Sequence, residues 1–143
     1  MMADRAAIEA RLAAARRHLR PVATVLMEVI AEDDDGGRQQ ADPTVVSKCL
    51  LTTLRESDTA SRTREGLYAL VLEDTPENGA VWTVERIRRS LSEASPGLTV
   101  WAGIACYPSH AFDVRDLVGK ASEALESATE WNQDRIEVAV ADL

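Results

Sequence analysis

The stretch Asp58-Thr-Ala-Ser-Arg-Thr-Arg-Glu-Gly-Leu-Tyr-Ala-Leu-Val-Leu-Glu-Asp-Thr75 decides the fold. Residues 58–62 suit a short strand, and the apolar, β-branched run of residues 67–73 suits a clearer one. Between them Thr63-Arg-Glu-Gly66 reads as a hairpin turn. Helical and strand periodicities alternate on both sides of this hairpin. Upstream, Ile8, Leu12, Ala15 and Leu19 recur at spacings of three and four, which predicts an amphipathic helix over residues 3–18 that Pro21 ends. Residues 22–30 are short and β-branched, as in a buried central strand. Glu32-Asp-Asp-Asp-Gly-Gly37 is expected to be a solvated loop. Asp42-Pro43 then starts a helix whose buried face is Val46, Leu50 and Leu54.

Downstream, Val81, Val84, Ile87 and Leu91 form a helical stripe that stops before Ser95-Pro-Gly97. Residues 98–106 read as another central strand. Val114, Leu117, Val118, Ala121, Leu125 and Ala128 mark a further helix, and residues 135–140 alternate as a last strand. The order α-β-α-β-β-α-β-α-β predicts an α/β (α+β) fold with a ferredoxin-like βαββαβ core, its mixed central sheet flanked by helices. The expected organisation is one domain over residues 1–143, with an N-terminal helix in 1–20 and the core in 21–143.

The charge balance narrows the function. Sixteen basic and 24 acidic side chains leave a net charge of −8, which repels a phosphate backbone and argues against a nucleic-acid groove. Fourteen of the 16 basic residues are arginine, so a local cluster can still hold a small anion. Apolar residues at 45% and charged residues at 28% are a globular composition. The longest apolar run, residues 22–31, is interrupted by Glu28 and is about half a membrane span, so no membrane insertion is expected. Two cysteines, Cys49 and Cys106, without a CxxC pair or a Cys/His cluster, fit a reducing cytoplasm and read as packing residues.

Other conspicuous residues have plain readings. Glu32-Asp-Asp-Asp35 lacks the spacing of a calcium loop. His18 and His110 have no nucleophile beside them, and Arg16-Arg17-His18 suits a helix C-terminus. Trp101 and Trp131 are expected at sheet and helix edges.

Four groups of strings carry a family resemblance from about residue 4 to residue 138. Leu54-Arg-Glu-Ser-Asp-Thr-Ala-Ser-Arg62 and Leu67-Tyr-Ala-Leu-Val-Leu-Glu-Asp-Thr75 resemble the flanks "LRxxDxxAR" and "EFALLLxDT". Glu85-Arg-Ile-Arg88 matches "ERIR", Thr99-Val-Trp-Ala-Gly-Ile-Ala105 resembles "TxSxGIA", and Ala121-Ser-Glu-Ala-Leu125 resembles "ADxALY". In this order they resemble a degenerate GGDEF (diguanylate cyclase-like) domain. Members of that family condense two GTP molecules into cyclic di-GMP with divalent metal ions.

The resemblance also marks departures. Arg64, Glu65, Gly66, Leu67 and Tyr68 stand where the family has Gly-Gly-Asp/Glu-Glu-Phe. Glu28 falls on the first-strand acidic position and is the one surviving metal-ligand candidate, whereas Gly66 and Leu67 fall on the acidic pair. The loop expected to recognise guanine is about five residues shorter here, and Thr129 and Gln133 replace a phosphate-contacting Lys and Arg. These departures imply a domain that is not an enzyme, with no catalytic residue and no cofactor.

One constellation is kept. Arg55-Glu-Ser-Asp58 stands five residues before Arg64, the offset of the family's allosteric product site, and Arg86 lies on its second arginine. The implied function is a cyclic di-GMP receptor through Arg55, Asp58 and Arg86, on helices that could present the arginines across a homodimer. The alternative is a nucleotide-free pseudo-enzyme acting as a dimerisation or interaction module with an adjacent signalling domain or partner protein. A remnant enzyme or GTP sensor using Glu28 is the third reading. Trp82, one helical turn before Arg86, can either stack on a guanine or block it.

Overall fold

A computed structural model describes residues 5–140 other than 19, 34 and 65. The elements run α1 (Arg5–His18), β1 (Val22–Glu32), β2 (Arg38–Gln40), α2 (Pro43–Thr53), β3 (Thr59–Arg64), β4 (Leu67–Glu73), α3 (Glu77–Ala94), β5 (Leu98–Tyr107), α4 (Val114–Ala128) and β6 (Arg135–Val138). The main sheet has the order β3-β4-β1-β5-β6, and β2 pairs with the end of β1. Strands β3, β4, β1 and β5 are antiparallel neighbours in the ferredoxin-like order, and β6 joins β5 in parallel. The predicted mixed sheet flanked by helices is the observed one.

Burial explains the centre of the sheet. Both faces of β1 are covered, so Val22, Ala23, Val25, Leu26, Met27 and Val29 are all buried. Val25, Met27 and Val29 face a core shared with Val46 and Leu50 of α2 and with Val84, Ile87 and Leu91 of α3. Val22 and Leu26 face the opposite core, shared with Ile8 and Leu12 of α1 and with Leu117, Ala121 and Leu125 of α4. Each fully buried aliphatic side chain contributes roughly 1.5–3 kcal/mol.

Local signals set the helix starts. The Asp42 carboxylate accepts from the Thr44 N–H at 2.9 Å with Pro43 in the first turn, and Asp113 accepts from the Asp116 N–H at 2.8 Å. Helix α4 sits close to β5 because residue 103 is glycine. A Cβ there would lie 2.2 Å from the Ala121 carbonyl oxygen and 2.3 Å from the Leu125 nitrogen.

Four sequence expectations are corrected. The acidic stretch is an exposed loop, as expected, but an unexpected strand follows it: Asp33 accepts from the Gly37 N–H at 2.7 Å, and Ile30–Glu32 pair with Gln40–Arg38 of β2. This order comes from side chain-to-backbone bonding rather than from apolar periodicity. Strand β3 extends to Arg64, leaving a shorter turn than expected, and β6 ends at Val138. Trp101 is a core residue, 3% exposed, because its Nε1–H finds the Trp131 and Gln133 carbonyls at 3.1 Å each. Cys49 and Cys106 are buried free thiols, and burial pushes the Cys106 thiol up to about 12. Leu19 and the predicted helix positions 3 and 4 lie outside the described residues.

Candidate functional site

Helix α2 ends as the Leu54 N–H bonds the Leu50 carbonyl, and the chain then turns through residues 55–58 into β3. Arg55 therefore stands in a turn, not on the helix that the sequence reading assigned it. The turn closes with Asp58 N–H to Arg55 C=O at 3.0 Å. Its side chains close it again. The Asp58 carboxylate accepts from the Arg55 backbone N–H at 3.0 Å, from its Nε at 3.2 Å and from its Nη2 at 3.1 Å. The Asp58 side chain is 3% exposed and that of Arg55 56%. Arg55 Nη2 also donates to the Glu73 carbonyl at 2.6 Å and to Thr75 Oγ1 at 2.8 Å. One guanidinium thus ties the α2–β3 turn to the β4–α3 turn, where Asp74 adopts a φ of +48°. The hydrogen bonding that Arg55 donates to the Asp58 carboxylate, more than any other contact, holds the Arg55 pKa above its usual value.

Helix α3 forms the opposite wall. Gly79, Trp82, Thr83 and Arg86 recur at helical spacing along the side turned away from its buried Ala80, Val84, Ile87 and Leu91. With Arg55, Asp58 and Thr75 they line a cleft of about 220 Å³. All three residues singled out in the sequence, Arg55, Asp58 and Arg86, share it. The Arg86 guanidinium carbon lies 4.8 Å from the Trp82 ring centroid. Among the described residues, Arg55 Nη1 makes no hydrogen bond to protein, so one edge of the fork still faces outward. Such a cleft can offer paired donors to a phosphate or to the O6/N7 edge of guanine. Thr75 and the Glu73 carbonyl were not legible as parts of the site. Their role comes from a strand end meeting a turn 18 and 20 residues earlier in the chain.

The β3–β4 turn holds the stretch that departs from the GGDEF signature. Arg64 ends β3, Gly66 turns at φ +76°, Leu67 and Tyr68 open β4, and Glu65 lies outside the described residues. Leu67 pairs with Glu28 on β1, and Glu28 pairs with Trp101 on β5. Glu28 Oε1 accepts from Arg64 Nη2 at 3.1 Å. Tyr68 points to the other face and is 2% exposed, and desolvation raises its pKa. The divalent cations implied by the resemblance need several oxygen ligands. The described residues here offer one carboxylate, already paired with arginine, and no group of three or more His, Cys, Asp or Glu forms a metal cluster among them. These residues do not fit such an ion.

His110 is in a loop, as expected, yet buried. Its Nδ1 accepts from the Cys106 N–H at 2.8 Å, and Nε2 is 3.5 Å from Glu77, which gives it a structural role. Thr129 caps α4, and Gln133 contributes its carbonyl to Trp101. No helix among the described residues is long and apolar enough to cross a membrane.

Comparisons with solved structures agree with this architecture. The GGDEF domain of YfiN (TpbB) from Pseudomonas aeruginosa superposes with a TM-score of 0.79 at 21% identity, covering 96% of this chain and 94% of that one. The active GGEEF domain of a diguanylate cyclase from Vibrio cholerae gives 0.79 at 18% identity, covering 96% and 95%. The GGDEF domain of DgcB from Caulobacter crescentus, solved in complex with cyclic di-GMP, gives 0.73 at 16% identity, covering 96% and 91%. No curated protein matches the sequence. Residues 5–135 match the family described as "Diguanylate cyclase, GGDEF domain". That match corrects the expectation that the chain is not an enzyme. The family it matches is one of cyclases, and the departures at the β3–β4 turn, in the shorter loop and at Thr129 and Gln133 do not by themselves show that activity is lost. From the order of its strands to the sequence of residues 5–135, the chain belongs to the diguanylate cyclase GGDEF domain family.

Proposed function

We propose that this GGDEF domain binds cyclic di-GMP in the cleft lined by Arg55, Asp58 and Arg86. The observation that carries the reading is the convergence of these three side chains, from a turn and from α3, on one cleft. Two guanidinium groups supply charge-assisted donors for phosphate or for guanine O6 and N7, and the buried Asp58 carboxylate holds the Arg55 fork in place. The complex of DgcB with cyclic di-GMP supports the reading, since that domain has the same fold. At about 220 Å³ the cleft is smaller than a drug-sized pocket, so it takes one base with its adjoining phosphate. The second base projects outward, where a second copy of the chain can meet it. The two buried free thiols suit a reducing compartment, and the domain works in the cytoplasm.

A second reading has its own support. Arg55 already bonds Asp58, Glu73 and Thr75, as it would if the motif only tied two turns together in a nucleotide-free interaction module. Isothermal titration of the whole chain with cyclic di-GMP separates the two. Micromolar or tighter binding is expected, weakened strongly by Arg86→Ala, which removes an exposed side chain, and by Arg55→Lys, which keeps the charge but loses the fork. No heat at ligand concentrations far above micromolar would leave the interaction module as the answer.

A further inference from the structure

We infer that Trp82 is the shelf on which a purine base of the bound cyclic dinucleotide stacks; this rests on the reading above and names the residue that supplies most of its sequence-tolerant affinity. An indole in water needs an explanation. Trp82 is 59% exposed, and the buried face of α3 belongs to Ala80, Val84, Ile87 and Leu91. The ring therefore adds little to the core. It stands instead in the wall of the cleft, one helical turn from Arg86, whose guanidinium carbon lies 4.8 Å from the ring centroid. Between them and the Arg55–Asp58 pair the cleft keeps about 220 Å³ of space, so the side chain is a wall of the site and not its plug.

The chemistry of the surrounding groups divides the work. Arg55 and Arg86 recognise acceptor edges and phosphate, and the buried Asp58 orients the Arg55 fork. The planar Arg55 guanidinium is committed to Asp58, the Glu73 carbonyl and Thr75, so the broad π-surface left for a base is the indole. Every purine has a π-face, so the indole favours guanine and adenine alike. Discrimination falls to the guanidinium groups, because guanine presents the O6/N7 acceptor pair whereas adenine has an N6–H donor beside N7. Trp82 thus sets affinity and the two arginines set selectivity.

The test titrates cyclic di-GMP and cyclic di-AMP into the wild-type chain, Trp82→Phe and Trp82→Leu, following heat and tryptophan fluorescence. Position 82 is exposed, so all three fold, and thermal melts by circular dichroism verify it. Trp82→Leu keeps apolar bulk without a π-face and is expected to weaken cyclic di-GMP binding on the order of tenfold, whereas Trp82→Phe stays within about threefold of wild type. Ligand quenching of wild-type fluorescence should vanish in Trp82→Phe, although Trp101 and Trp131 remain. If the wild type binds and Trp82→Leu binds equally well or more tightly, the shelf is refuted and the Arg55–Asp58–Arg86 site stands. Absence of wild-type binding refutes both.

Discussion

Arg55 and Asp58 should be energetically coupled in the absence of any ligand, and the size of the coupling follows from their surroundings. Asp58 is 3% exposed and takes two of its three hydrogen bonds from the Arg55 side chain. Arg55→Ala leaves that carboxylate buried with a single backbone donor. A fully buried orphan charge costs about 3–5 kcal/mol, but the vacated arginine site is half open to water, so a value near 2 kcal/mol is expected. Asp58→Ala leaves a half-exposed guanidinium that water can solvate and that still holds the Glu73 carbonyl. Its cost is smaller, about 1 kcal/mol. In the double variant no charge is orphaned but the bonds to the Glu73 carbonyl and Thr75 are lost as well, so the loss should be about 2 kcal/mol, below the sum for the single variants. The cycle then gives a coupling of about 1 kcal/mol. Urea denaturation at neutral pH, followed by circular dichroism with equal slopes for all four proteins, measures it. Additivity within about 0.3 kcal/mol would refute the tie between the turns, since independent sites behave that way.

Two further predictions test the packing. Gly103→Ala places a Cβ 2.2 Å from the Ala121 carbonyl and forces α4 off the sheet, at a cost of about 3 kcal/mol, while Gly119→Ala on the exposed side of the same helix meets nothing within 4 Å and gains roughly 0.5–1 kcal/mol. Denaturation midpoints moving in the same direction would contradict both contacts. Stability should also fall in alkali. The Cys106 thiol is held up to about 12 by burial against an ordinary 9.0, so the unfolded chain loses its proton first. The native advantage is complete below pH 9.0 and declines as pH rises toward about 12, by roughly 4 kcal/mol at most. Cys106→Ala should flatten that decline in pH-dependent urea titrations, and an unchanged slope would assign it to other groups.

The fold was legible because its elements obey two simple periods. The stripe Val84, Ile87, Leu91 has one buried destination, and the hairpin of residues 58–75 sits between two crossovers, which leaves few sheet orders to consider. Strand β2 escaped because its three residues, Arg38, Gln39 and Gln40, have no apolar period; a side chain at Asp33 and the register of β1 create it. Trp101 escaped for a related reason. A tryptophan in a strand is placed by where its N–H finds an acceptor, and here the acceptors come from residues 131 and 133.

Local spacing and contact carry different amounts of functional information. The offset from Arg55 to Asp58 is a property of four residues in a turn, so the string itself announced the pair, and its geometry followed. Arg86 reaches the same cleft only because α3 packs across β1 and β5, which is a consequence of the fold. The pairing of Glu28 with Arg64 is less readable still, since it joins residues 36 apart through the register of three strands. The expectation of lost activity rested on the signature stretch, a shorter loop, Thr129 and Gln133, positions whose roles depend on contacts across the fold, whereas the family match runs over residues 5–135. Side chains that share a turn can be argued from spacing alone. Those that meet across the sheet belong to the register.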